Sequence, residues 1–91
     1  MDNQVEVLDV ALIHEQVRDF ISVNFLFDGD ARQIDDQVSL IEQGIVDSTG
    51  VLELVLFVEE TYGLSVDHAD LVPENFDSVN ALVGYVERRL A

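Results

Sequence analysis

The chain has no cysteine, no lysine and one proline, Pro73. Without cysteine there can be no disulfide staple, no thiolate zinc site and no cysteine nucleophile. Cationic side chains are almost as scarce. Arg18, Arg32, Arg88 and Arg89 face nineteen Asp and Glu, and the formal net charge is -15. Phosphate backbones and anionic membrane surfaces repel such a chain, which excludes nucleic-acid binding and a polybasic membrane anchor. No apolar run approaches the roughly 18 residues of a membrane helix, so membrane insertion is not expected. Residues 1–10 carry Asp2, Glu6 and Asp9 and no basic residue, which is not the pattern of a signal peptide. Internal repeats, low-complexity stretches and alternating strand patterns are also missing.

What the chain does contain is apolar side chains, 48 % of its 91 residues. That is enough for one small core and too many for a disordered acidic tail. The expectation is a single domain over residues 1–91, cytoplasmic and monomeric, with basic proteins as partners.

The apolar spacing is helical. Val5, Leu8, Leu12, Ile13, Val17, Phe20 and Ile21 recur at steps of three and four, predicting a first helix that Asp2 or Asn3 caps and that stops near Asn24. Residues 25–46 are irregular but hold Phe25, Phe27, Ile34, Val38, Leu40, Ile41 and Ile45. They read as an ordered loop that tucks side chains into the core, with one helical turn near 39–43. Ser48 to Tyr62 is the clearest helix, with Asp47 or Ser48 as its cap, Val51, Leu54, Val55, Val58 and Tyr62 as its inner face, and Gly63 as its stop. A connection follows, with one helical turn near His68–Leu71. Asp77 and Ser78 then cap a last helix over 79–90, with Tyr85 at its margin and Arg88 and Arg89 at its negative end. The fold class is all-α: a small four-helix bundle, three main helices and one short one, with a long ordered loop between the first two.

The segment Gly44-Ile45-Val46-Asp47-Ser48-Thr49-Gly50-Val51-Leu52-Glu53-Leu54 carries the chemistry. It puts a serine hydroxyl at the start of an amphipathic helix, where free amides and the dipole favour an anion attached to that oxygen. Ser48 is therefore well placed to bear a phosphate ester and poorly placed to act as an independent nucleophile, which needs an adjacent base. Taken alone, Asp-Ser at a helix start is most often just a cap. Leu52 and Leu56 lie off the inner face beside Glu53, Glu59 and Glu60, leaving an apolar strip rimmed by carboxylates.

With these features together, and over nearly its whole length, the chain resembles the acyl carrier proteins. The stretch Asp47-Ser48-Thr49-Gly50-Val51-Leu52-Glu53-Leu54-Val55 matches that family's pattern around its modified serine. The resemblance implies that Ser48 is the attachment site for 4'-phosphopantetheine, with Asp47 beside it as part of the cofactor site. A phosphopantetheinyl transferase would move the group from coenzyme A, and cargo would ride as a thioester on a thiol that the chain itself lacks. It implies a non-catalytic protein whose further partners are an acyl- or aminoacyl-loading ligase and downstream transferases with basic surfaces. Thr49, Leu52, Glu53, Leu56, Glu59 and Glu60 would meet those partners. Asp47 sets a negative charge next to the future phosphate, to be offset by helix capping, a divalent cation or a partner's arginine.

Thr49 and Gly50 depart from the large apolar and acidic residues that many fatty-acid carriers place after the serine. A glycine at the second position is similar to stand-alone carriers of D-alanine or other amino acids. The reading is a free-standing, specialised acyl carrier, with an aminoacyl carrier as the alternative. An unmodified acidic interaction module and a Ser48 hydrolase are further alternatives. If a lipid cleft exists, Leu40, Ile45, Phe57 and Val58 are the expected lining. Asp28-Gly29-Asp30 with Asp35-Asp36 reads as a surface turn and not a calcium loop, because Arg32 occupies a ligand position. His68 and Asp70 are too few for a metal site, and His14 reads as a boundary residue of the first helix.

Overall fold

The computed structural model describes residues 9–26 and 34–91. It is all-helical over those residues. Four α-helices are present, α1 Val10–Phe25, α2 Ser48–Tyr62, α3 Pro73–Phe76 and α4 Val79–Leu90, with a 3-10 turn at His68–Asp70.

Helix α1 begins where Asp9 leaves helical geometry and its carboxylate accepts the Leu12 amide at 3.1 Å. The expected start at Val5 with an Asp2 or Asn3 cap is thus corrected by the extended backbone of Asp9; residues 2–8 lie outside the described residues. Ile13, Val17 and Ile21 are buried one turn apart, whereas Leu12, expected in the same stripe, is exposed. Helix α2 ends at Gly63, whose φ of 68° is left-handed and costs glycine little. Helix α4 starts at Ser78, whose hydroxyl accepts the Ala81 amide at 2.9 Å.

The core lies between these helices. Leu54 and Val58 come from α2, Phe76 from α3, and Val79, Leu82, Val83 and Val86 from α4. Each large aliphatic side chain buried this fully stabilises the fold by about 1.5–3 kcal/mol. Helix α4 is central: α1 and α3 pack chiefly on it, and α2 touches both α3 and α4. Phe57 of α2 stacks on Phe20 of α1, with ring centroids 4.3 Å apart. The loop contributes as expected, burying Ile34, Leu40 and Val46. Its helical turn carries two bonds, from the Gln43 amide to the Ser39 carbonyl and from the Gly44 amide to the Ile41 carbonyl, both at 3.0 Å, within a run of turns. Phe27 and the Asp28-Gly29-Asp30 turn lie outside the described residues.

Tyr85 is buried rather than marginal, because the 3-10 turn and the two arginines close over it. Its hydroxyl donates to Asp70 and accepts from Arg89, and the Arg89 guanidinium lies 5.6 Å from its ring centre. Arg89 also donates to the Ser65 carbonyl and Arg88 to the Asn75 side chain, so the arginines tie the end of α4 to the segment after α2 and to α3.

Tyr62, the last residue of α2, donates to the Gln16 side chain of α1 at 2.8 Å. Burial pushes its phenol up to about 12. Above about pH 10 the unfolded chain loses this proton while the fold keeps it, so stability is intact below that pH and falls as pH rises toward about 12. Denaturant unfolding at about pH 9 and about pH 11.5 should therefore show a smaller alkaline loss in Tyr62→Phe than in the parent. An equal loss in both would remove Tyr62 as the cause.

Candidate functional site at the start of α2

The path into α2 is set by two aspartates. Asp36 takes Arg18 and His14 of α1 on its carboxylate, and its carbonyl accepts the Asn80 amide of α4 at 3.0 Å. His14 is thus half-buried and hydrogen-bonded, in keeping with a boundary residue. Asp77, at the junction of α3 and α4, accepts the Ser39 hydroxyl and the Ile41 amide on its carboxylate and the Leu40 amide on its carbonyl. The Leu40 carbonyl in turn receives the amides of Ile45 and Val46, and the chain arrives at Asp47 with Val46 buried.

Asp47 caps α2. Its carboxylate accepts the Gly50 amide at 2.7 Å and its carbonyl accepts the Val51 amide at 3.1 Å. Ser48 is the first helical residue, and it is exposed. Among the described residues no partner holds its hydroxyl. The 15-residue helix behind it directs its positive dipole end at this point.

Gly50 has a packing reason. It is buried, and a Cβ there would lie 2.9 Å from both Phe25 Cε1 and Val46 Cγ1. The glycine that reads in sequence as a weak helix former is what lets α1 and the loop press against the first turn of α2.

Two depressions flank Ser48. One, of about 250 Å³, is lined by Ser48, Ile41, Val51, Leu71, Val72, Pro73, Phe76 and Asp77. The other, of about 400 Å³, lies toward α1 and is bordered by Asn24, Phe25, Ile45, Asp47, Thr49 and Glu53. Of the lining expected for a cleft, Ile45 borders the second of these depressions. Leu40 and Val58 are core residues and Phe57 is stacked on Phe20, so the apolar groove beside Ser48 is built by Ile41, Leu71 and Val72 instead. Those three come from irregular segments and carry no periodic signal in the sequence.

Along α2, Leu52 and Leu56 are 58 % and 54 % exposed, and Thr49, Glu53 and Glu60 are exposed with them. Glu59 differs. It is half-buried, and its carboxylate accepts the Val66 amide at 2.9 Å, which fixes the chain after α2. The structure thus brings Asp47, Ser48, Thr49, Leu52, Glu53, Leu56 and Glu60 onto one exposed side and gives Glu59 an internal partner as well.

No family model matches the chain. A protein described as a probable acyl carrier protein, PigG, from a Serratia species is 31 % identical over 77 residues, which is 85 % of this chain and 87 % of the relative. The chain belongs to the acyl carrier protein family. The acyl carrier protein of Thermotoga maritima is 34 % identical over 61 residues, 67 % of this chain and 73 % of the relative. The D-alanyl carrier protein of Abiotrophia defectiva is 28 % identical over 57 residues, 63 % of this chain and 72 % of the relative. Among the described residues of this carrier-family chain, no helix is long and apolar enough to cross a membrane.

Gly50→Ala tests the packing at the site. Alanine gains about 1 kcal/mol of helix propensity. Overpacking typically costs about 1–3 kcal/mol, and here two side chains stand in the way. The expected outcome is a net loss near 1 kcal/mol, a fall in Tm of about 4–8 °C by calorimetry. An unchanged or higher Tm would show that the first turn has room.

Proposed function

We propose that the protein is a non-catalytic acyl carrier, one domain that bears 4'-phosphopantetheine as a phosphate ester on the Ser48 Oγ. The observation that carries this reading is the exposed Ser48 hydroxyl at the first helical position, with the capping duty taken by Asp47. The residues present fit the group. The α2 dipole would favour the ester's charge by about 0.3–1 kcal/mol at an exposed site, and Ile41, Val51 and Val72 offer an apolar wall beside the oxygen. When attached, the arm supplies a terminal thiol on which cargo is held as a thioester.

The chain's own residues present the hydroxyl and do not activate it. A serine nucleophile needs a base in hydrogen-bond reach, so the base and the divalent metal come from the phosphopantetheinyl transferase. Asp47 holds the helix start through the Gly50 amide, and its remaining charge suits a cation or an arginine of that enzyme. Glu53 and Glu60 steer basic partners, with the charge of Glu59 behind them. Thr49, Leu52 and Leu56 make the contact at the centre, serving the transferase, an acyl- or aminoacyl-loading ligase and downstream transferases in turn. Work in the cytoplasm, as a monomer, is consistent with this role.

An aminoacyl cargo is the second reading, favoured by the likeness to a D-alanyl carrier. Gly50 no longer argues for it, since the close approach of Phe25 and Val46 accounts for that residue.

Incubation with coenzyme A, magnesium and a broad-range phosphopantetheinyl transferase should add one phosphopantetheine by intact mass, and Ser48→Ala should abolish the adduct. No mass gain with several transferases would overturn the reading in favour of an unmodified acidic module. Intact mass of the protein from its native host separates acyl from aminoacyl cargo. Reversing Glu53 and Glu60 together to lysine should lower kcat/KM for the transferase by about tenfold or more at low salt and flatten its salt dependence. Unchanged kinetics would remove steering as their role.

A further inference from the structure

Asp77 carries no assigned role, yet it lies on both routes to Ser48. It borders the groove beside the hydroxyl, together with Ile41. It also holds the turn that leads into α2. Its carboxylate is half-buried and accepts two donors, the Ser39 hydroxyl and the Ile41 amide at 2.9 Å, and its carbonyl accepts the Leu40 amide at 3.0 Å. Leu40 passes the constraint on, because its carbonyl receives the Ile45 amide at 3.0 Å and the Val46 amide at 3.2 Å. Val46 presses on Gly50 in the first turn of α2, and the residue between Val46 and Ser48 is the cap itself. Few bonds therefore separate the Asp77 carboxylate from the position of the Ser48 oxygen.

We propose that Asp77 is a positioning residue for modification of Ser48: by clasping the turn over residues 39–46 it fixes the entry into α2 and the groove wall beside the hydroxyl. This rests on the reading of Ser48 as the modified residue. The role is separable from folding. Ser78 alone caps α4, and Leu40 and Val46 remain buried by apolar contacts, so losing the clasp loosens the turn without emptying the core. It is also separable from docking, because Leu52, Glu53 and Leu56 stand on α2 outside the clasp.

The test compares Asp77→Ala, Asp77→Asn and Ser39→Ala with the parent chain. Asp77→Asn keeps the size but offers one acceptor oxygen for two donors, and Ser39→Ala opens the clasp from the other side. Amide exchange by NMR should quicken at Ile41, Ile45 and Val46 while helix α4 stays protected. In steady-state transfer from coenzyme A, kcat should fall by about tenfold or more, since small misplacements of a reacting atom carry penalties up to about a hundredfold. KM for the carrier should hold. The Asp77→Ala, Ser39→Ala pair should lose little more than the worse single variant, as residues acting through one bond do.

Faster exchange at Ile41, Ile45 and Val46 with unchanged kcat would overturn the proposal and leave the Ser48 reading standing. A loss confined to KM would overturn it too, by making Asp77 a docking residue. A parent chain that no transferase modifies would sink the Ser48 reading and the proposal with it. Should Asp77→Ala fail to fold, Asp77→Asn and Ser39→Ala carry the same comparison.

Discussion

A long loop has to be held still at its far end, just before α2, for the serine after it to have a defined position. Ordering each residue of such a loop costs about 1–2 kcal/mol of backbone entropy. Burial of Ile34, Leu40 and Val46 supplies the main offset, at about 1.5–3 kcal/mol for each side chain. Apolar burial is not directional, however, and does not fix a turn. Direction comes from Asp36 and Asp77, which bind the loop to α1 and to the start of α4. Hydrogen bonds to charged groups contribute more than neutral ones, about 1.5–3 kcal/mol each. The position of Ser48 follows from this pair of anchors, because the chain between Asp77 and the α2 cap passes through Leu40 and Val46 without slack.

The large negative charge divides into two populations. Asp9, Asp47 and Glu59 accept backbone amides at helix ends or turns, and Asp36, Asp70 and Asp77 hold arginine, histidine or hydroxyl partners. These carboxylates substitute for the hydrogen-bonding that a small core cannot provide at its edges. Glu53 and Glu60 are exposed beside Leu52 and Leu56. A field from such groups acts over about 8–10 Å at ordinary salt, far enough to orient an approaching basic surface before the leucines touch it. The same acidity that looks uniform in composition thus serves the fold at one set of positions and, in the proposed function, recognition at another.

Helix α2 and helix α4 were legible in the sequence because period, cap and stop agree: Asp47 and Gly63 bound one, and Ser78 opens the other. The start of α1 was not, since apolar spacing continues upstream through Val5 and Leu8 and period alone does not say which of several polar residues breaks the helix. The exposed strip of α2 was legible from the angular positions of Leu52 and Leu56. Gly50 was visible but open to misreading. A glycine in a helix shows its propensity cost locally, while the close approach of Phe25 and Val46 exists only in three dimensions. The groove of Ile41, Leu71 and Val72 was hidden because two irregular segments meet to form it. The burial of Tyr85 is likewise hidden in the sequence: the cover over it comes from Arg89, one turn on in α4, and from Asp70, which the turn between α2 and α3 brings to it.

The dipeptide Asp-Ser occurs twice, at 47–48 and at 77–78, each time at the start of a helix, and the two copies behave differently. At α4 the aspartate is taken by Ser39 and Ile41 of the loop, so the cap falls to Ser78, whose oxygen is then spent on the Ala81 amide. At α2 the aspartate itself caps, through the Gly50 amide, and the serine moves one place into the helix. Serine and aspartate are nearly equal as caps, so local propensity does not decide between them. Competition does. The loop draws Asp77 away from α4, whereas among the described residues the Asp47 side chain is bonded only within the first turn of its own helix. A capping serine has its oxygen engaged by an amide; a serine one residue later has a hydroxyl that faces solvent at the same positive helix end. The clasp that engages the second aspartate is therefore part of the same arrangement that leaves the first serine available.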